Sequence, residues 1–221
     1  MKAIIFDLDG TLMDTLDDLH RSTNHALHAC GMPQRTLDEV RQFVGNGIGQ
    51  LIRRAVPTGT SEEDTAHCLQ VFSEHYVRHC QDNTKLYPGI HEMLTELKRR
   101  GVPMAVVSNK LQAGVTELAE RWFKDTIQVA IGEHEGVARK PAPDMVRLAM
   151  KRLGVQASDC IYVGDSDVDL ATARNAGLPC VSVLWGFRDR DFLMQHGATV
   201  FVSHPSEILS FAETDSLRGT A

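Results

Sequence analysis

Nowhere in the 221 residues does an apolar run approach the ~20 residues that a bilayer-spanning helix needs, so no membrane segment is expected. The opening Met1-Lys2 is followed by a short apolar run that stops at Asp7, too brief for the apolar region of a signal peptide. Positive charge is not in excess. The formal net charge is -6, whereas a non-specific nucleic-acid binder needs a basic surface to release counterions. The five cysteines (Cys30, Cys68, Cys80, Cys160, Cys180) include no C-x-x-C pair and are odd in number. That excludes a zinc ribbon and a fully paired disulfide framework, and reads as reduced thiols in a cytoplasm. Lysine is absent from Asp14 through Thr84. What remains is 43% hydrophobic and 24% charged, the proportions of a globular chain with a real core, long enough for one domain with an insertion or two small ones.

Short stretches apolar on both faces recur along the sequence. Lys2 to Phe6 ends at Asp7, Gly101 to Val107 ends at Ser108-Asn109, and Cys160 to Val163 ends at Gly164-Asp165. Pro179 to Leu184 and Thr199 to Val202 are two more, and Thr126 to Ile131 is a weaker one. Such runs suit strands of a parallel sheet covered on both sides. Between them lie amphipathic patterns at Ile90 to Arg100 and Pro143 to Leu153, each with a basic last turn and a following glycine (Gly101, Gly154). The alternation predicts an α/β fold, a doubly wound parallel sheet. From Asp14 to about Lys85 the alternation stops and only helical stretches appear, broken at Gly31-Met32-Pro33, Gly45-Asn46-Gly47 and Pro57-Thr58-Gly59. The expectation is a sheet domain of residues 1–13 and 86–221 with an α-helical cap of 14–85 inserted after the first strand. Asp14-Thr15 and the stretch near Lys85 are the expected hinges, and Tyr87-Pro88-Gly89 marks the return to the sheet.

In a doubly wound sheet ligands bind beyond the carboxyl ends of the strands. The residues expected there are Asp7, Asp9, Thr11, Ser108, Asn109, Asp165, Ser166 and Asp169, with Lys140 in a loop that could reach the same crevice. Carboxylates packed together repel unless something neutralises them. A hard cation with oxygen ligands and a lysine would do so. Magnesium, held by one or two carboxylates together with phosphate oxygens, implies a phosphorylated ligand.

Four ordered motifs carry a resemblance at this point. Asp7-Leu8-Asp9-Gly10-Thr11, Val107-Ser108-Asn109, Arg139-Lys140-Pro141 and Gly164-Asp165-Ser166-Asp167-Val168-Asp169 together resemble the haloacid dehalogenase superfamily, specifically its phosphatases with a helical cap. Gly45-Asn46-Gly47, Val106 to Lys110, Trp185-Gly186-Phe187 and His196-Gly197-Ala198 look like those of phosphoglycolate phosphatases. The resemblance implies Asp7 as nucleophile, forming an aspartyl-phosphate, and Asp9 as general acid and base. It implies magnesium on the Asp7 carboxylate, the Asp9 backbone carbonyl and Asp165. Ser108, the N–H groups near Leu8 and Asp9, Thr11 and Asn109 would contact the phosphoryl group. Lys140 would pair with Asp7, and Asp169, with Ser166 beside it, would orient Lys140. The implied partner is a small phosphorylated metabolite, with no nucleic acid and no membrane, and the chain would be a monomer or homodimer in the cytoplasm.

Rival readings share these residues. A dehalogenase of the superfamily lacks the second acid, here Asp9. A phosphonate hydrolase needs a cap lysine, and the segment has none. A β-phosphoglucomutase would place a histidine five residues after Asp14, where Leu19 stands and His20 falls one step late, a turn of ~100° on a helix. An inorganic pyrophosphatase of the same family stays open. A response-regulator receiver would carry its aspartate after a middle strand without a helical insertion, and a phosphate-sensing protein of this fold would have lost Asp7, Asp9 or Lys140. Within the cap, Gly45 and Asn46 read either as an interhelical turn or as a substrate-selecting loop. Arg53 and Arg54 read as anion ligands or an exposed helix face. His25/His28 and His75/His79 have a spacing that can share a metal but more often lie on a helix face. Glu133-His134-Glu135 reads as an exposed loop, and Trp122-Phe123 as a helix end packed on the core.

Overall fold

The computed structural model describes residues 2–213. In chain order its elements are β1 (Ala3–Phe6), β2 (Met13–Asp14), α1 (Leu16–Ala29), α2 (Leu37–Phe43), α3 (Gly47–Ala55), α4 (Glu62–His79), β3 (Lys85–Leu86), α5 (Ile90–Arg99), β4 (Met104–Leu111), α6 (Gln112–Leu118), β5 (Val129–Glu133), α7 (Asp144–Leu153), β6 (Cys160–Gly164), α8 (Asp167–Ala176), β7 (Cys180–Val183), α9 (Arg190–Gln195) and β8 (Phe201–Val202). They fall into two compact units, Met1–Leu12 with Leu86–Ala221, and Met13–Lys85.

The first unit is built on a six-stranded sheet in the order β5-β4-β1-β6-β7-β8, with every pair parallel. All four residues of β1 and all five of β6 are buried, which is why their sequences read as uninterrupted apolar runs. The chain runs outward from β1 through β4 to β5, then returns to the other side of β1 at β6. The strand order thus reverses beside β1, and a crevice opens beyond the carboxyl ends there. Helix ends follow local chemistry. Gly101 and Gly154 take positive φ (72° and 70°) just past α5 and α7, a conformation that costs glycine least, and Val102 N and Val155 N donate back into the helices.

Sequence and structure differ over β4. Its apolar run stops at Val107, yet the strand continues to Leu111, with a shift of register against β5 between Val107 and Leu111. Ser108, Asn109 and Lys110 occupy this irregular stretch, so polar residues that look like a turn are instead held as strand. Gly132 on β5 makes room for it: a Cβ there would come within 2.7 Å of Gln112 Cα and Lys110 O. The weak candidate strand at 126–131 is displaced to Val129–Glu133.

The second unit contains α1 to α4, with α1 packed along α4 and α2. Leu27, Val40, Ile52, Ala55, Cys68 and Phe72 are completely buried. Thr36 and Glu39 form a reciprocal capping box at α2, and Ser61 caps α4. Buried Asp18 accepts from Asn83 N and Nδ2 and from Thr84 N and Oγ1, at 2.8–3.0 Å, which fastens the end of the unit to its first helix.

Candidate active site

Each sheet-domain motif comes from a loop at a carboxyl strand end. Asp7 follows β1, and its N–H donates to Val163 O, so the first motif leaves the sheet in register with β6. Leu8 then turns its buried side chain into the core, and its carbonyl accepts from Thr11 N and Leu12 N. Gly10, at φ 89°, is the hinge of this turn. A Cβ at Gly10 or at Gly186 would collide with the Asp165 carboxylate, so the two glycines form a cradle that only hydrogen leaves open.

The centre of the site is a buried ammonium. Lys140 Nζ lies 2.5 Å from Asp7 Oδ1, 2.9 Å from Asp169 Oδ1 and 3.1 Å from the Tyr162 hydroxyl. Burial alone would push its pKa down, but the charges of Asp169 and Asp7 outweigh that and hold it well above an ordinary lysine. The Lys140 loop is pinned by Asn109, whose Nδ2 donates to Lys140 O at 3.0 Å.

Asp169 is saturated. Its Oδ1 accepts from Lys140 and from the Tyr162 hydroxyl (3.0 Å), and its Oδ2 accepts from Asp165 N, Ser166 N and Ser166 Oγ at 3.2, 3.1 and 2.6 Å. Ser166 caps α8 in a reciprocal box with Asp169. Asp165 is engaged more lightly. Phe187 N donates to Oδ2 at 2.6 Å, and the Thr11 hydroxyl reaches Oδ1 at 3.5 Å. Trp185 Nε1 donates to Thr11 O at 2.9 Å and ties the two loops together.

Asp7, Asp165 and Asp169 bring carboxylate oxygens within 4.8 Å of one another, the one group of this kind among the described residues. Burial, then the charge of Asp169, raises the Asp7 carboxyl well above its usual range, and the same two causes raise Asp165 to about 7. Three buried carboxylates facing one ammonium leave a negative surplus. A divalent cation with oxygen ligands fits that donor set, and because Asp169 is already saturated, Asp7 and Asp165 are the carboxylates suited to it.

On the other flank, Ser108 Oγ donates to Asp9 Oδ2 at 3.3 Å and accepts from Lys110 N at 3.1 Å. Lys110 Nζ lies 3.5 Å from Asp9 Oδ1, with the lysine side chain 7% exposed. Sequence reasoning gave Lys110 only as the end of the Val106 to Lys110 stretch, with no role, and did not single out Tyr162. The signal for Tyr162 was its place two residues before Gly164 on a buried strand, which puts its hydroxyl on the side of the site.

The remaining candidates lie in the helical unit. Gly45 and Gly47 have φ of 124° and 77°, and Asn46 precedes the first turn of α3. Exposed Arg53 forks Glu62 at 2.7 Å twice, and Arg54 donates to Phe43 O at 2.8 Å. His25, His75 and His79 form a stack with ring centroids 4.0 and 4.2 Å apart, and Ser22 Oγ meets His75 Nδ1 at 3.0 Å. Among the described residues these histidines do not form a group placed to hold a metal ion. His20 Nε2 meets Arg35 O at 3.0 Å and Asn24 Nδ2 at 2.9 Å, within the packing of its own unit.

The chain is similar to known proteins over most of its length. Residues 4–183 match the family model for haloacid dehalogenase-like hydrolases. The chain is 32% identical to phosphoglycolate phosphatase 1 of Pseudomonas aeruginosa, covering 96% of this chain and 80% of that one. It is 36% identical to a phosphoglycolate phosphatase of Rhodobacter capsulatus, covering 84% and 85%. A crystal structure of a proposed phosphoglycolate phosphatase from Lactobacillus delbrueckii subsp. bulgaricus superposes with a TM-score of 0.92 at 35% identity, covering 96% of this chain and 99% of that one. No helix among the described residues is long and apolar enough to cross a membrane. With motif order, strand-end geometry and these likenesses in agreement, the chain belongs to the haloacid dehalogenase-like hydrolase family, as one of its phosphatases.

Proposed function

We propose that this chain is a magnesium-dependent phosphomonoester hydrolase acting on 2-phosphoglycolate through an aspartyl-phosphate on Asp7. The observation that carries the reaction is the Lys140 ammonium bonded at once to Asp7 and Asp169 at the strand ends. Lys140 grips Oδ1 of Asp7, which orients Oδ2 for in-line attack on phosphorus. Asp9 protonates the departing alkoxide and then takes a proton from the water that cleaves the acyl phosphate. Ser108, the N–H groups near Leu8 and Asp9, and Lys140 receive the phosphoryl oxygens, with Asn109 holding the Lys140 loop. The cation would sit on the Asp7 carboxylate, the Asp9 carbonyl and Asp165. When bound, magnesium supplies charge neutralisation for the phosphoryl oxygens and for the two carboxylates.

The substrate comes from the names of the relatives, several of which are phosphoglycolate phosphatases. We read the helical unit of residues 13–85 as the cap of such a phosphatase, with Gly45 and Asn46 in its loop between α2 and α3. A small-metabolite role fits a cytoplasmic protein with free thiols. The mutase reading is disfavoured by His20, which is occupied within its own unit, and by Leu19 one position before it.

The test is phosphate release over a panel of phosphorylated metabolites with magnesium. 2-Phosphoglycolate should give the highest kcat/KM. Asp7→Asn, Asp9→Asn and chelation of the metal should each abolish turnover while the folded circular-dichroism signal persists. A preference for pyrophosphate, or conversion of glucose 1-phosphate to an isomer, would replace the substrate assignment.

A further inference from the structure

Each aspartate of the first motif has its own lysine. Lys140 serves Asp7, and Lys110 serves Asp9. The first pair has a clear task in the chemistry above. The second does not, because a general acid and base can work without a partner cation.

We infer that Lys110 is a specificity residue, whose ammonium receives the carboxylate of a phosphomonoester bearing that group on the carbon next to the ester oxygen. This rests on the reading of Asp9 as the group that hands a proton to the leaving oxygen.

Distances support the placement. For proton transfer the ester oxygen must come within roughly 3 Å of the Asp9 carboxylate. Lys110 Nζ is 3.5 Å from Asp9 Oδ1, so an ester oxygen on Oδ1 stands no more than about 6.5 Å from the ammonium. A carboxylate one carbon beyond the ester-bearing oxygen has its oxygens roughly 3 Å from that oxygen, given single bonds of about 1.5 Å. The gap left is at most about 3.5 Å, within reach of a charge-assisted hydrogen bond.

The lysine is also held in place. Lys110 belongs to the irregular stretch of β4, its N–H is fixed on Ser108 Oγ, and its stem runs beside Gly114, where a Cβ would stand 3.4 Å from Lys110 Cε. A side chain 7% exposed keeps its charge only beside anions. Asp9 Oδ1 is buried with no hydrogen-bond partner, so this end of the site presents a cation and an acceptor together, as a short carboxylated ester requires.

The experiment compares 2-phosphoglycolate with ethylene glycol monophosphate, which replaces the carboxylate with a neutral hydroxymethyl group. Both are assayed with magnesium on the full chain, as wild type, Lys110→Met and Lys110→Gln. The wild type should favour the carboxylated ester. In the variants kcat/KM for phosphoglycolate should fall roughly 10–100-fold further than for the neutral ester, mostly through KM, the scale of one charge-assisted hydrogen bond. Either variant suffices if the other fails to fold, and a thermal melt decides that. Equal losses on both esters, or a preference that survives in a folded variant, would overturn the role of Lys110. A wild type with no preference for the carboxylate would instead overturn the phosphoglycolate reading, and the inference with it.

Discussion

Asp169 holds Lys140 rather than the reverse. Four groups besides the lysine donate to the Asp169 carboxylate, among them the cap serine of α8, so its position is set by the helix start independently of the lysine. Lys140 comes from a loop, and Asp169 fixes where its ammonium can stand relative to Asp7. Asp169→Asn should therefore lower kcat about 10–100-fold with little change in KM. Lys140→Met should lose more, about 100–1,000-fold, since it removes a donor aimed at the charge of the transition state. Steady-state kinetics on the two variants checks the order.

Tyr162 is the third partner of that ammonium and the one with least charge at stake. Tyr162→Phe removes hydrogen bonds to Lys140 and Asp169 without emptying the buried space. A loss of about 1–3 kcal/mol in stability is expected, the scale of a hydrogen bond to a charged group. Turnover should fall less than for Lys140→Met. Chemical denaturation and kcat measured together would show both.

The glycine cradle around Asp165 gives a sharper steric test. In Gly186→Ala the new methyl must push the Asp165 carboxylate aside. The expected result is an at least tenfold higher magnesium concentration for half-maximal rate, with the sheet intact. Titration of activity against magnesium, alongside circular dichroism, makes the measurement.

Acid–base linkage in the same pocket has a definite sign. Asp165 is raised from 3.8 to about 7, so in the metal-free protein its favourable contribution is complete below pH ~4 and is lost as pH rises through about 7. Asp7 is shifted in the same direction. Metal binding needs both carboxylates ionised and therefore competes with protons. The melting temperature of the metal-free protein should fall from pH 6 to pH 8, and added magnesium should raise it more at pH 8 than at pH 6. Differential scanning calorimetry at the two pH values tests this.

Much of this was legible in the sequence, and the reasons differ residue by residue. β1 and β6 could be read because strands buried on both faces have no polar interruptions, and Asp7 and Asp165 were conspicuous as the first charges after them. The path of β4 could not be read. Ser108 to Lys110 look like a turn by composition, and only pairing with β5 across the shifted register keeps them extended. Tyr162 was concealed by its ring, which counts as apolar in a buried strand while its hydroxyl reaches the site. Asn109 was expected on phosphate, but its amide lies on the Lys140 carbonyl, a contact 31 residues away along the chain that no local pattern encodes. The glycines at 10 and 186 were visible as residues, whereas the carboxylate between them exists only once β1, β6 and β7 are side by side.

The covalent step is the centre of this account, and trapping it is the most direct test. Enzyme mixed with 2-phosphoglycolate and magnesium, quenched in acid within a single turnover and digested, should yield one phosphorylated peptide, with the phosphoryl group on Asp7. The peptide should be absent in Asp7→Asn. A phosphoryl group on any other residue, or a burst of free phosphate with no labelled peptide at any quench time, would contradict Asp7 as the nucleophile.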